Sequence, residues 1–246
     1  MECDAKNIWH GFIDLIFPPR CSACGEKLSK EDPSLYFCST CLDQFRFLAP
    51  PLCPLCGSPY TDKTSESHLC QACLLSPPPF TAARFVASYE GVMQDALHRF
   101  KYGGDTHVGE ALGEIMASFA WPLFEIRDYS MIIPVPLHVK KLRERGFNQA
   151  LILSKVIAKH HRLKLDYLSL RRTKFTQPQT ALGKKARQTN VIGVFDVAHP
   201  ENLKGEKVIL IDDVYTTGST LMECARTLKK AGVATIAVLT MARTPS

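Results

Sequence analysis

The sequence predicts an α/β protein, with a mainly parallel sheet flanked by helices, preceded by a small N-terminal domain built on four-cysteine clusters. Nine of the ten cysteines lie in the first 73 residues. Beyond them, short apolar runs alternate with amphipathic segments, which is typical of a parallel sheet with helices on both faces. The proline-rich stretch from Leu74 to Phe80 separates the two patterns. We therefore expect domains at residues 1–78 and 79–246.

The first residues include the apolar stretch NIWHGFIDLIF, which we interpret as an amphipathic helix. It is shorter than the roughly 18 residues that cross a bilayer. It also contains Asp14 and lacks the small-residue cleavage site of a secretory signal. We expect Ile8, Phe12, Leu15 and Ile16 to dock this helix on the protein. A cytoplasmic protein without membrane insertion is the resulting prediction.

Eight of the cysteines form four C-x-x-C pairs in a tandem repeat. Shifting the first half by 32 residues places its four cysteines on cysteines, so each unit reads C-x2-C-x13-C-x2-C. This spacing lets four thiolates surround one tetrahedral zinc ion, and such closed sites are structural. Disulfides are the alternative, and they are disfavoured in a chain expected in the reducing cytosol.

We therefore predict two structural zinc ions. The duplication favours one site within each repeat, and a cross-braced arrangement remains the alternative. The expected ligands are Cys21, Cys24, Cys38 and Cys41 in the first repeat and Cys53, Cys56, Cys70 and Cys73 in the second.

The first half of the larger domain is predicted to hold two strands and three helices. Ala83–Tyr89 contains β-branched and aromatic residues and predicts a strand. Gly91–Tyr102 and Val108–Ala120 have helical periodicity on either side of a Gly-Gly pair. Met131–Pro136 is a short apolar run that predicts a buried strand, and Phe147–His161 predicts a helix.

The second half supplies the remaining strands and one helix. Leu165–Leu170 and Val194–Val197 predict strands. Val208–Ile211 is apolar at every position, as expected for a central parallel strand that is buried on both faces. A helix from Ser219 to about Ala231 ends before Gly232, and Ala234–Met241 predicts the last strand.

Two carboxylates and a hydroxyl-rich loop follow the apolar strand. Asp212 and Asp213 are predicted at its carboxyl end, where ligands of such sheets gather. The next residues lead into a helix N-terminus, whose backbone N–H groups suit a phosphate. An ordinary capping loop is the alternative for this segment alone. A ribose 5-phosphate would satisfy both halves, with its hydroxyls on the carboxylates and its phosphate on Thr216, Thr217, Gly218, Ser219 and Thr220.

Two further features of the sequence favour a polyanionic ligand. Gly218 has no Cβ, so we expect the backbone to approach the ligand closely there. The stretch from His138 to Asn190 carries fourteen Lys or Arg against two acids, so its charge of +12 leaves −6 for the rest of the chain. Such a block indicates a nucleotide, pyrophosphate or nucleic acid, with a solvated basic face as the alternative.

The stretch VILIDDVYTTGST resembles the phosphoribosyl diphosphate (PRPP) binding motif of type I phosphoribosyltransferases. PVPLH and RERGFNQA resemble the signature of the ComF/GntX family, whose members carry a cysteine-rich zinc segment before that domain. The resemblance covers nearly the whole chain. It implies a type I phosphoribosyltransferase-like fold, PRPP bound with Mg²⁺, and catalytic roles for Asp212 and Asp213.

The resemblance also implies two loops around the ligand. A pyrophosphate loop would contain Val135, Pro136, Leu137 and His138, with Arg143, Arg145, Asn148 and Gln149 beside it. A hood loop at residues 171–190 would cover the site through Arg171, Arg172, Lys174, Gln177 and Arg187. Its basic residues and Mg²⁺ would neutralise the leaving diphosphate.

Two function classes follow from the resemblance. ComF-type relatives imply a PRPP-binding protein of DNA uptake in natural transformation, which contacts single-stranded DNA and partners such as a competence helicase. The alternative is a phosphoribosyltransferase with an unidentified acceptor, in nucleotide metabolism or, as GntX-type relatives imply, in gluconate use. The sequence shows no aromatic residue for stacking a base near the hood beyond Phe175 and Phe195.

Overall fold

The computed structural model describes residues 18–29, 31–32, 34, 36–60, 62, 66–175 and 192–245. The expected N-terminal helix lies outside these residues, as do Gln177 and Arg187 of the hood loop. Within the described ranges, no helix has both the length and the apolar character needed to span a bilayer.

Helices and strands alternate through the larger part of the chain. The helices are α1 Ser39–Asp43, α2 Gln71–Leu75, α3 Gly91–Tyr102, α4 Thr106–Ser118, α5 Val139–Arg145, α6 Gln149–His161 and α7 Ser219–Lys230. The strands are β1 Ala82–Ser88, β2 Met131–Pro134, β3 Lys164–Leu165, β4 Leu170–Arg172, β5 Phe195–Val197, β6 Lys207–Tyr215 and β7 Thr235–Arg243. Short 3-10 helices lie at Ile126–Asp128 and Pro200–Asn202.

Five strands form one parallel sheet in the order β1-β7-β6-β2-β3. The remaining two, β4 and β5, pair antiparallel with each other outside that sheet. The mainly parallel sheet that the alternating pattern predicted is therefore confirmed. β6 lies between β7 and β2, so its carboxyl end is at the middle of the sheet.

Both faces of the sheet are covered, as predicted from the apolar run Val208–Ile211. Along β6, Ile209 and Ile211 pack into a core that includes residues of α3, α4 and α6. Val208 and Leu210 pack on the opposite face, with residues of α7 and β5. The alternation follows from the two-residue period of a strand.

Strand β6 is longer than expected, because its ladder with β7 continues past the apolar residues. Asp212 pairs with Thr240, and Tyr215 pairs with Arg243. On its other side, β2 ends at Pro134 opposite Ile211. The two aspartates therefore lie within β6 rather than after it, yet they extend beyond the end of one neighbouring strand.

Two other expectations about elements are corrected. The predicted strand at residues 165–170 is two strands, because the Asp166 carboxylate accepts the N–H groups of Leu168 and Ser169 and turns the chain. Strand β4 then leaves the sheet to pair with β5. Helix α5 was not predicted, since it is seven residues long and buries none of them.

The cysteine-rich segment packs on the edge strand β1. Leu48 N–H donates to Val86 O at 2.9 Å, and Ser88 N–H donates to Arg46 O at 2.9 Å. Phe37 and Phe45 lie in the same core as residues of β1, α3 and α4. Apolar residues of the first repeat therefore complete the core of the larger part of the chain, on the far side of the proline-rich stretch.

Candidate functional site

The eight paired cysteines form two clusters, one in each repeat. In each cluster the four Sγ atoms lie within 4.8 Å of one another: Cys21, Cys24, Cys38 and Cys41 in the first, and Cys53, Cys56, Cys70 and Cys73 in the second. The Cys24–Cys38 and Cys56–Cys70 Sγ distances are 3.8 and 3.7 Å. Four sulfurs at zinc-ligand distance from one ion would lie about 3.8 Å apart. The clusters therefore fit one zinc each, and the pairing is sequential rather than cross-braced.

Backbone N–H groups prepare one thiol in each cluster for metal binding. Cys38 N–H points at Cys21 Sγ, and Cys70 N–H points at Cys53 Sγ, both at 3.4 Å. Burial alone would raise the pKa of Cys21, but such hydrogen bonds lower it to about 6. The same balance lowers the pKa of Cys53 to about 7. Zinc binds the thiolate form, so these contacts favour the ligand state.

A cleft opens where β2 ends and β6 continues, and we call it the central cleft. Its volume is about 310 Å³. It brings together residues from the aspartate pair, the pyrophosphate loop and the base of the hood loop. They are Lys101, Val135, Pro136, Leu137, His138, Lys141, Arg145, Asn148, Gln149, Ala150, Arg172, Phe175, Asp212, Asp213, Val214, Thr216 and Thr220.

The aspartate pair lies beside a half-buried lysine. Lys101 Nζ lies 3.1 Å from Asp213 Oδ2, and the Asp213 side chain is 10% exposed. Burial, together with the charge of Asp213, raises the pKa of Asp212 to about 8, against the opposing effect of Lys101. Burial lowers the pKa of Lys101, but the carboxylates of Asp213 and Asp212 more than offset it and raise that pKa.

This donor set fits a magnesium ion. Mg²⁺ prefers oxygen ligands and is commonly held by one or two carboxylates together with substrate phosphates. Asp212 and Asp213 would supply the carboxylates, and burial together with the charge of Asp213 raises the pKa of Asp212. An ion held there by Asp212 and Asp213 would neutralise negative charge in the cleft.

The pyrophosphate loop is tied to both neighbouring elements. Val135 N–H donates to Ile211 O at 2.9 Å, which holds the loop on β6. Asn148 Nδ2 donates to Val135 O at 3.1 Å, while Asn148 Oδ1 accepts from Ala150 N–H and caps α6. His138 caps α5 through Nδ1 and packs against the Phe175 ring, 5.2 Å between centroids.

The loop before α7 contains a glycine in the left-handed conformation directly before the helix. Helix α7 begins at Ser219, so the N–H groups of its first turn have no partner within the helix. Gly218 has φ of +72°, in the left-handed region. A Cβ at Gly218 would lie 2.1 Å from the Tyr215 hydroxyl oxygen and 2.3 Å from its Cζ. The structure therefore explains this glycine by its backbone conformation and by Tyr215, before any ligand is considered.

The structure places only some of the residues expected at the site in the central cleft. Arg143, Arg171 and Lys174 are exposed and do not line the central cleft. Thr217 and Ser219 hydrogen bond to each other through their hydroxyls, at 2.8 Å, rather than lining it. Lys101 and Lys141 line the cleft and were missed. The Gly-Gly pair at residues 103–104 marks the end of the helix that contains Lys101. Nothing in the local sequence indicates that this helix end lies near β6.

Comparisons with family models match both parts of the chain. Residues 12–74 match the double zinc ribbon domain. Residues 148–246 match the phosphoribosyl transferase domain. The second match includes the aspartate pair and the loop before α7.

Several relatives are similar over most of the chain. The DNA utilization protein YhgH of Escherichia coli O6:H1 is 32% identical over 176 residues, which are 70% of this chain and 76% of that protein. Competence protein F of Haemophilus influenzae is 34% identical over 60% of this chain and 66% of its own length. Competence protein ComFC of Bacillus subtilis is 31% identical over 61% and 59%.

Solved phosphoribosyltransferase structures align with about half of the chain. The orotate phosphoribosyltransferase from Aeropyrum pernix aligns over 55% of this chain and 60% of its own, with 18% identity and a TM-score of 0.33. Glutamine PRPP amidotransferase from B. subtilis aligns over 54% and 25%, with 18% identity and a TM-score of 0.37.

Proposed function

The chain belongs to the ComF/GntX family, in which a double zinc ribbon precedes a phosphoribosyl transferase domain, and from this premise we propose that it binds PRPP with Mg²⁺ and acts in the use of imported DNA. The single observation that supports PRPP binding best is the composition of the central cleft. One opening brings together two carboxylates, the loop residues Thr216 and Thr220, and the cations Lys101, Lys141, Arg145 and Arg172. A sugar that carries both a phosphate and a diphosphate needs these three kinds of group.

The proposed ligand would lie with its parts on different elements. Asp212 and Asp213 would hold the ribose hydroxyls and Mg²⁺, and the ion would neutralise charge on the diphosphate. The diphosphate would lie on the loop from Val135 to His138, beside Arg145, and the 5-phosphate would accept the N–H groups at the start of α7. Each group lies at the rim that β6 forms beyond the end of β2.

Calorimetry with PRPP tests this proposal, with and without Mg²⁺. We expect binding only with Mg²⁺, and we expect Asp213→Asn to weaken it by about 1–3 kcal/mol, because a charge-assisted contact is lost. Asp43→Asn, on the first zinc repeat, is the matched control and should bind as wild type. Folded protein that gives no heat with PRPP and Mg²⁺ would refute the proposal.

The DNA half of the proposal rests on relatives and on charge. Relatives are described as a DNA utilization protein and as competence proteins, and the stretch at residues 138–190 carries +12. We propose a cytoplasmic protein that contacts single-stranded DNA and works with DNA-uptake proteins such as a competence helicase. If the contacts are mainly to phosphates, a plot of the logarithm of the affinity against the logarithm of the salt concentration should have a negative slope. Each phosphate contact should contribute roughly 0.7 to that slope. A salt-independent affinity would contradict this.

A catalytic role is the second candidate, because the cleft also contains what a departing diphosphate requires. Cations that line the cleft could neutralise the leaving group, while the aspartates stabilise positive charge on the sugar. PRPP consumption across a panel of nucleobases, with Asp212→Asn as the blank, separates the candidates. Consumption that depends on one acceptor would establish a phosphoribosyltransferase.

A further inference from the structure

A second groove adjoins the central cleft, and we call it the side groove. It is lined by Lys101, Tyr102, Gly103, Gly104, Lys141, Glu144 and Arg145, with a volume of about 780 Å³. Three of these residues, Lys101, Lys141 and Arg145, also line the central cleft. The two spaces therefore share these three cations.

Tyr102 is the distinguishing residue of the side groove. It ends helix α3 and is 65% exposed, although aromatic side chains of this size usually bury most of their surface. The Arg145 guanidinium lies over its ring, 5.6 Å from the centroid, and the His98 ring lies 4.7 Å away. Gly103 and Gly104 follow, and a Cβ at Gly104 would meet nothing within 4 Å. The ring thus stands at an open, basic surface.

The charges of the groove favour an anion. Lys101, Lys141 and Arg145 face one carboxylate, Glu144, and that carboxylate is held by Lys141 at 2.6 Å. Lys101 is bound to Asp213, and Arg145 donates to Gln149 Oε1 at 3.2 Å. These contacts fix the cations at the wall, so that phosphates would meet a positioned row rather than flexible side chains.

An exposed aromatic ring with positioned cations is the arrangement that binds single strands without sequence preference, by base stacking and phosphate contacts. Of the described residues that line the groove, none is the Asn or Gln that commonly reads a base edge. These features favour a strand over a free nucleobase.

We propose that the side groove binds single-stranded DNA, with a base stacked on Tyr102 and phosphates on Lys141 and Arg145, and that PRPP weakens this binding because the diphosphate uses the same cations. This inference rests on the proposed function, since it assumes both ligands. Linkage requires the reciprocal effect, so DNA should weaken PRPP binding by the same factor.

The test is fluorescence anisotropy with a labelled oligothymidylate at low salt. We expect Tyr102→Ala to weaken binding about 10-fold, the loss typical of one stacked base, and Tyr102→Trp to retain it. Tyr167 is the matched control, because it is a 52% exposed tyrosine outside the side groove. Tyr167→Ala should change the affinity by less than about two-fold. Calorimetry should give the same PRPP affinity for Tyr102→Ala as for wild type.

Each contrary result has a defined meaning. If wild type binds the oligonucleotide and Tyr102→Ala binds equally well, the groove is refuted while the proposed function stands. If wild type binds no oligonucleotide, the groove and the DNA half of the proposed function both fail, and calorimetry decides the PRPP half separately. If thymidine monophosphate competes as well as the oligonucleotide, per nucleotide, the ligand is a mononucleotide and the strand is refuted.

The antagonism has its own measurement. Adding PRPP and Mg²⁺ to the wild-type complex should raise the Kd for DNA, whereas Mg²⁺ with sulfate at equal ionic strength should not. An unchanged or tighter DNA complex in the presence of PRPP would overturn the shared use of Lys141 and Arg145.

Discussion

Gly218 offers a sharp test of how the phosphate loop is built. Its φ is +72°, and a Cβ there would collide with the Tyr215 ring. Gly205 is a matched control, because its φ is +80° and its Cβ would meet nothing within 4 Å. Replacing either glycine by alanine forces a side chain into the left-handed region, which costs roughly 1–2 kcal/mol. Gly218→Ala should also overpack against Tyr215, adding about 1–3 kcal/mol.

We therefore expect Gly218→Ala to lower the free energy of unfolding by about 2–5 kcal/mol and Gly205→Ala by about 1–2 kcal/mol. Urea denaturation with zinc in excess measures both. Tyr215→Ala removes the colliding atoms, so the double variant Gly218→Ala/Tyr215→Ala should be more stable than the two single effects predict. The coupling should recover about 1–3 kcal/mol.

Two results would refute this reasoning. Equal costs for Gly218→Ala and Gly205→Ala would mean that the Tyr215 contact is relieved without strain. Additive costs in the double-mutant cycle would mean that Tyr215 is not the obstacle. In either case, the left-handed φ alone would remain as the structural reason for this glycine.

Three further predictions concern metal, charge and pH. Elemental analysis should find two zinc ions per chain. Cys21→Ser should lower the thermal midpoint of the whole chain, because the first repeat shares a core with β1 and α3. A separate, unshifted transition of the larger domain would contradict this. Lys101→Met should weaken PRPP binding by about 1–3 kcal/mol, since the aspartate pair loses its cation; calorimetry equal to that of Lys159→Met, an exposed control, would disprove it. The pKa of Asp212 is raised to about 8 in the folded state. Between about pH 4 and 8 the folded protein therefore holds a proton that the unfolded chain lacks. The free energy of unfolding should fall as pH rises through that range. Asp212→Asn should abolish this fall and be more stable than wild type at pH 9 without Mg²⁺, by about 1 kcal/mol or more, in urea denaturation; equal stability at pH 5 and pH 9 for wild type would count against it.

Local patterns in the sequence predicted much of the fold and part of the site. The order of strands and helices, the cysteine pairing and the aspartates beside the hydroxyl-rich loop all depend on residues close together in the chain. The pairing of β6 with β7 depends on residues farther apart in the chain. The extension of β6 through Asp212 and Asp213 was therefore not predicted. Lys101 reaches these aspartates from a helix more than a hundred residues earlier, and only the packed structure brings them to 3.1 Å.

The docking of the zinc repeats could not be predicted for a related reason. Apolar residues such as Phe37 and Phe45 are equally suited to the core of a small separate domain and to an interface with β1. Two strong local signals, metal-ligand spacing and a proline-rich stretch, both indicated separation. The structure instead pairs residues near Phe47 with the edge strand β1, which leaves that edge covered.

The second zinc repeat also contacts the support of the phosphate loop. Arg243 Nη1 donates to Cys56 O at 2.9 Å, and its guanidinium lies over the Tyr215 ring, 5.2 Å from the centroid. Tyr215 in turn is the residue that a Cβ at Gly218 would strike. The carbonyl of a zinc ligand and the glycine of the phosphate loop are thus joined through two buried or half-buried side chains. Close packing leaves such side chains little room to shift. A zinc ion on the second cluster would fix Cys56, whose carbonyl accepts from Arg243. Arg243 packs on Tyr215, which lies against a loop conformation that glycine adopts readily. These contacts give a physical reason why the cysteine-rich segment packs against the sheet: it supports the residues beside the loop before α7.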